Sequence, residues 1–120
     1  MKSCEWIQYK GKNILYMKLD AKTSVEAKEI AENIKPVVAK EPPNSILCIA
    51  DVNNSKFDPE TTQILKEFTM HNKPFMKMTA VIGVEGLHKV MYRAVLFFTG
   101  RKNLVLKNSK QEALDWLAEQ

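Results

Sequence analysis

The chain has 120 residues, 45% hydrophobic and 27% charged, a composition that excludes disorder and a length that leaves room for one core over 1–120 but not for two ordinary domains. No apolar run reaches the roughly 18 residues of a membrane span, and Met1-Lys2-Ser3-Cys4-Glu5-Trp6 lacks the apolar centre of an export signal, so a cytoplasmic protein is expected. The formal net charge of +4 is unevenly spread: acids and bases balance through residue 60, whereas between Phe68 and Gln111 eight bases (Lys73, Lys77, Lys89, Arg93, Arg101, Lys102, Lys107 and Lys110) face Glu85 alone. One part of the surface should be electropositive, either as a plain solvated face or as a contact for an acidic partner, a lipid headgroup or nucleic acid.

Glu5 to Tyr9 and Asn13 to Leu19 are rich in aromatic and branched residues and are joined by Lys10-Gly11-Lys12, which predicts an antiparallel hairpin. Thr23-Ser24-Val25-Glu26 fits a capping box, and Ala27, Ile30, Ala31, Ile34 and Val38 then share one helical face. Pro36 removes a backbone donor and crowds the Glu32 carbonyl, so a kink or a restarted last turn is expected there. Ile46-Leu47-Cys48-Ile49-Ala50 shows no polar alternation, the mark of a central strand covered on both faces. Asp51 to Ser55 leaves the sheet as a polar loop, and Asp58-Pro59 supplies a side-chain cap and a preset first residue for a helix whose buried face is Thr61, Ile64, Leu65 and Phe68.

Phe75 to Val84 reads as the next strand, with Gly83 and Gly86 placed for positive φ or close backbone approach. Leu87 to Thr99 reads as a third helix with His88, Lys89 and Arg93 near its start. Its later turns are apolar on more than one face, so they either pack under a neighbouring loop or meet a partner. Asn103 to Leu106 reads as a short edge strand. Ser109 to Glu112 is a second capping box opening the last helix, with Trp116 expected over the sheet edge. The order β-β-α-β-α-β-α-β-α predicts an α/β fold with a mostly parallel five-stranded sheet, an antiparallel N-terminal strand and four helices.

Chemistry-bearing residues are sparse. His71 and His88 have no second ligand at metal spacing, and Cys4 and Cys48 lie far apart, as suits a reducing compartment. Cys48 falls inside the central strand, where a thiol behaves as a small hydrophobe. No nucleophile elbow or Gly-rich phosphate loop follows any strand, and Asp58 and Glu60 have routine uses at a helix start. No catalytic residue, metal site or cofactor is expected.

The element order, together with the strand, loop and helix of Ile46 to Leu65, resembles a STAS domain, the fold of bacterial anti-sigma-factor antagonists, and in particular the small stand-alone branch grouped with lipid-binding SEC14-like proteins. In regulatory members an Asp-Ser-Ser/Thr-Gly segment follows the central strand, and its hydroxyl is phosphorylated by a partner kinase. Here that place reads Phe57-Asp58-Pro59-Glu60, so the Asp is matched and the phosphorylatable residue is replaced. The resemblance implies a non-enzymatic, regulatory binding module. Its expected protein-contact residues are Asp51, Asn53, Asn54, Ser55, Asp58, Glu60, Glu85, Gly86, Lys89 and Arg93, with another protein or a second copy as partner. The alternative is a small apolar ligand or an anionic lipid surface held by Met91, Val95, Phe97, Phe98, Arg101 and Lys102, where apolar burial and basic charge adjoin. Nucleic acid is not an expected partner, because the bases are not interleaved with aromatics.

Overall fold

In the computed structural model, residues 3–55, 58–84 and 103–120 are described. Strands β1 (Cys4–Tyr9), β2 (Lys12–Lys18), β3 (Ile46–Asp51), β4 (Met76–Ile82) and β5 (Leu104–Leu106) form one sheet in the order β1-β2-β3-β4-β5. β1 runs antiparallel to β2, and every other neighbour is parallel. Among the described residues there are three α-helices, α1 (Ser24–Ala39), α2 (Pro59–Asn72) and α3 (Lys110–Ala118), with a short 3-10 turn at Lys73–Phe75. The expected helix from Leu87 to Thr99 lies outside the described residues.

The hairpin is tighter than its sequence suggests. Tyr9 pairs with Lys12, so the loop is Lys10-Gly11 alone, and both residues take positive φ (48° and 79°). Two such residues give the turn whose twist matches paired strands, and Gly11 adopts it without a Cβ penalty. Lys12 therefore belongs to β2.

β3 occupies the middle of the sheet, and all six of its residues are buried. Its side chains alternate between two cores. Ile46, Cys48 and Ala50 join Leu15, Met17 and Val81 under Ile30, Ile34 and Val38 of α1 and Phe68 of α2. Leu47 and Ile49 join Ile14, Ala80 and Ile82 against Ala113, Leu114 and Leu117 of α3. Two crossovers of one hand, stepping the same way along the sheet, put α1 and α2 on the same face and leave the other to α3. Each fully buried aliphatic side chain contributes about 1.5–3 kcal/mol. Trp116 is half-buried at the rim of the second core, under the Lys107 ammonium, 5.2 Å from the ring centre.

Helix ends follow local chemistry. Thr23, Asp58 and Ser109 each accept a bond from the amide three residues on, at 3.1, 2.7 and 3.1 Å. The reciprocal half of the first capping box is displaced by one residue, since the Glu26 carboxylate takes the Lys22 amide at 2.7 Å. α1 runs through Pro36 to Ala39 without a break in its helical span. Pro36 and Glu32 are both exposed, so the carbonyl deprived of its donor can face water, which softens the penalty.

Candidate functional site

The loop after β3 emerges at the carboxyl end of the parallel strands, the edge where open α/β sheets commonly meet ligands. Its first residue turns inward. Asp51 is 9% exposed, and its carboxylate accepts bonds from the Tyr16 hydroxyl, the Asn53 amide at 3.0 Å and Asn53 Nδ2 at 2.8 Å. Ionised oxygens held by several donors make an anchor of this residue. The Val52 amide donates to Ile82 at 2.9 Å, which carries β3–β4 pairing one residue further. The Ser55 amide then reaches back to the Val52 carbonyl at 3.2 Å, closing a turn with Asn54 at φ +65°. Asn tolerates that conformation better than other residues with a Cβ.

The same loop is tied to the segment between β2 and α1. Lys22 Nζ donates to the Asn54 carbonyl at 2.6 Å, and the Ser55 hydroxyl donates to the Leu19 carbonyl. At the start of α2, Asp58 is spent on the Thr61 amide, Pro59 begins the helix, and Glu60 accepts from the Ser24 hydroxyl at 2.9 Å. The first turns of α1 and α2 thus adjoin. On the β4 side, Gly83 has φ +89°, and a Cβ there would lie 2.5 Å from the Asn53 amide nitrogen and 2.6 Å from its Cγ. Only glycine lets the β4 exit pass this close to the turn.

Electrostatically the anchor is one-sided. Burial first, and then the hydrogen bond and charge of Asp51, push the Tyr16 phenol well above its ordinary range, with smaller contributions from Glu5 and Asp20. The Lys110 ammonium sits 4.2 Å from the Tyr16 ring centre, a cation–π contact on its open face. Burial raises the Cys4 thiol, which disfavours a thiolate.

Of the residues that the sequence proposes for partner contact, Asn53, Asn54, Asp58 and Glu60 are exposed and share this loop and helix start. Ser55 is half-buried with its hydroxyl turned to Leu19, and Asp51 is buried, so both support the loop from beneath. Glu85, Gly86, Lys89 and Arg93, and the apolar-ligand set Met91, Val95, Phe97, Phe98, Arg101 and Lys102, lie outside the described residues. Sequence reasoning missed Tyr16 and Lys22, whereas Thr61 lies on the buried face of α2 as its pattern predicts. Strand parity offered a signal for the first, because Tyr16 pairs with Ile49 and so shares a sheet face with Asp51 two residues on. Lys22 carried none, being an ordinary surface residue by pattern.

Among the described residues no three His, Cys, Asp or Glu side chains are grouped to hold a metal, and no helix is long and apolar enough to cross a membrane. Compared with protein-family models, with curated proteins and with solved structures, the chain matches none.

Proposed function

We propose that this chain is a STAS-like binding module of the cytoplasm that docks a protein partner through the loop after β3 and the first turn of α2, without catalysis or a cofactor. One observation carries the reading: Asn53, Asn54, Asp58 and Glu60 are exposed on backbone pinned from beneath by Asp51, from one side by Lys22 and Ser55, and from the other by Gly83. A loop ordered in advance loses little conformational entropy on association. The antiparallel first strand and the sequential parallel strands after it agree with the element order that the resemblance implies.

Binding suits this edge better than chemistry does. The Asp51 carboxylate is engaged by Tyr16 and Asn53, Asp58 and Glu60 hold helix starts, and Cys48 is 1% exposed. With Pro59 and Glu60 where the regulatory relatives carry a hydroxyl, the face is constant rather than switched by phosphate. On sequence grounds the face extends to Glu85, Gly86, Lys89 and Arg93. The test is affinity capture with the intact chain, identification of the retained protein and titration of that purified partner, alongside sedimentation for self-association. Changing Asn54→Gly, Asp58→Asn and Glu60→Gln together keeps the turn and the cap, and should weaken the association at least about tenfold, as loss of several contacts at one interface does. Unchanged affinity in the triple variant would remove the proposal.

A further inference from the structure

The two rims of the sheet are not alike. β5, at one rim, has three residues, and a very short edge strand is one way in which natural proteins keep a free edge from pairing. β1, at the other, has six residues, and among the described residues no strand pairs with its outer side. It carries few of the usual guards: its sequence holds no proline, its register with β2 is unbroken by a bulge, and its single charged side chain is Glu5.

The hairpin decides which backbone groups of β1 face outward. Tyr9 and Lys12 flank a two-residue turn and so exchange both hydrogen bonds, and in an antiparallel pair every second couple does the same. Ile7 with Ile14 and Glu5 with Tyr16 therefore bond inward. The Lys18 amide, which donates to the Ser3 carbonyl at 2.8 Å, continues that alternation past the end of the strand. Cys4, Trp6 and Gln8 are left with amide and carbonyl turned to the open side. Trp6, the middle residue of this row, keeps 43% of its surface exposed.

The row matches itself. Reversed by a twofold axis at Trp6, it sets Trp6 against Trp6 of a second copy and Cys4 against Gln8, and each couple exchanges two bonds. Sliding by two residues in either direction loses a couple, because the strand ends at Cys4 and Tyr9 and Lys10 has already turned away at φ 48°. A slide of one residue puts the bonding groups out of phase and sends side chains to the wrong face. In the centred register Glu5 lies opposite Ile7 of the copy, so no like charges stand directly across from each other.

We propose that β1 is the contact between two copies of this chain, whose five-stranded sheets join into one continuous sheet through antiparallel β1–β1 pairing centred on Trp6. Any strand offers backbone groups, but a second copy matches this row in length and phase and brings an indole to the exposed indole. Aromatic pairs across strands add to the burial that such a contact provides. The contact is separate from the loop after β3 and stands whether or not that loop recruits a protein.

Sedimentation equilibrium of the intact chain should give a mass that approaches twice that of one chain as concentration rises. Trp6→Lys sets two ammonium groups against each other at the axis, and Gln8→Pro removes an outward amide while leaving the backbone bonds to β2, since Gln8 and Asn13 form a couple that exchanges none. Each should weaken the dimer at least about tenfold, and Trp6→Lys carries the comparison alone if Gln8→Pro fails to fold. Crosslinking with diamide in a Cys4→Ser chain reads the register. Trp6→Cys in that background places two Cα atoms about 5.5 Å apart, within the span of a disulfide, and should give a covalent dimer. Gln8→Cys places them roughly 14 Å apart and should not. A chain that stays monomeric throughout, a dimer indifferent to Trp6→Lys, or crosslinking as fast at position 8 as at position 6 would each overturn the proposal. Self-association that survives both edge variants and is lost on changing Asn54, Asp58 and Glu60 would overturn it as well and assign the contact to the loop.

Discussion

Two glycines with positive φ mark the two ends of the sheet, and they do different work. Gly11, in the hairpin at the amino end of the parallel strands, has φ +79° and open space where a Cβ would go. Gly83, at the carboxyl end, has φ +89° and a backbone nitrogen 2.5 Å from that position. The first turn asks only for a conformation. The second asks for a conformation and for the close passage of two chain segments, and it does so beside the loop that presents Asn53, Asn54 and Asp58. Order at the candidate site is thus built from packing and hydrogen bonds across three segments, whereas the hairpin is ordered by its own two residues.

The largest expected effect breaks that contrast directly. Gly83→Ala adds a Cβ against Asn53, and the nitrogen it meets cannot retreat without losing its bond to Asp51. A loss of about 3 kcal/mol or more is expected in urea unfolding, the scale of a strained backbone position combined with a broken buried contact. A Gly83→Ala protein as stable as the wild type would show that the loop is not held in the way described.

Next comes Tyr16→Phe, which takes one donor from Asp51 without opening a large cavity. About 1–3 kcal/mol should be lost near neutral pH, the range for removing a bond to a buried charged group. Because the folded state raises the Tyr16 pKa, the protein binds that proton more tightly when folded. The stabilisation is therefore complete below the ordinary phenol value of about 10 and is lost as pH rises above it toward the folded-state value. The stability gap between wild type and Tyr16→Phe should narrow from about pH 10 upward. A gap that stays constant there would mean that the phenol and Asp51 are not coupled.

How much of this could be read beforehand follows the range of the interactions. Thr23, Asp58 and Ser109 cap their helices through amides three residues away, so a local pattern finds them. The burial of β3 shows in its unbroken apolar run for a similar reason, since a covered strand cannot place polar groups on either face. Asp51 opens the polar loop that the sequence proposes for docking, yet its carboxylate accepts from a tyrosine 35 residues earlier in the chain. Such pairing depends on strand register, which short-range patterns do not carry. Pro36 illustrates the same boundary, since its effect turns on whether the Glu32 carbonyl faces water, a tertiary property.

At the other end of the sheet, Gly11→Ala should cost about 1 kcal/mol, the penalty of placing a Cβ in the left-handed region with no clash added. Chemical denaturation of this variant beside Gly83→Ala sharpens the comparison, because similar φ values would produce similar losses if conformation alone mattered. Equal losses in the two variants would contradict the close contact at Asn53.

Asp58→Asn carries the smallest expected change in stability and separates two uses of one side chain. Asn caps a helix about as well as Asp, so the bond to the Thr61 amide survives, and only the charge at the helix start is lost, a few tenths of a kcal/mol. Asp58→Ala, by contrast, removes the cap and should cost about 1 kcal/mol. If the exposed carboxylate contributes to docking, partner affinity should fall in both variants alike while stability falls mainly in the second. Affinity that instead tracks stability, unharmed in Asp58→Asn and reduced in Asp58→Ala, would assign Asp58 to the helix start alone and leave the docking face to Asn53 and Asn54.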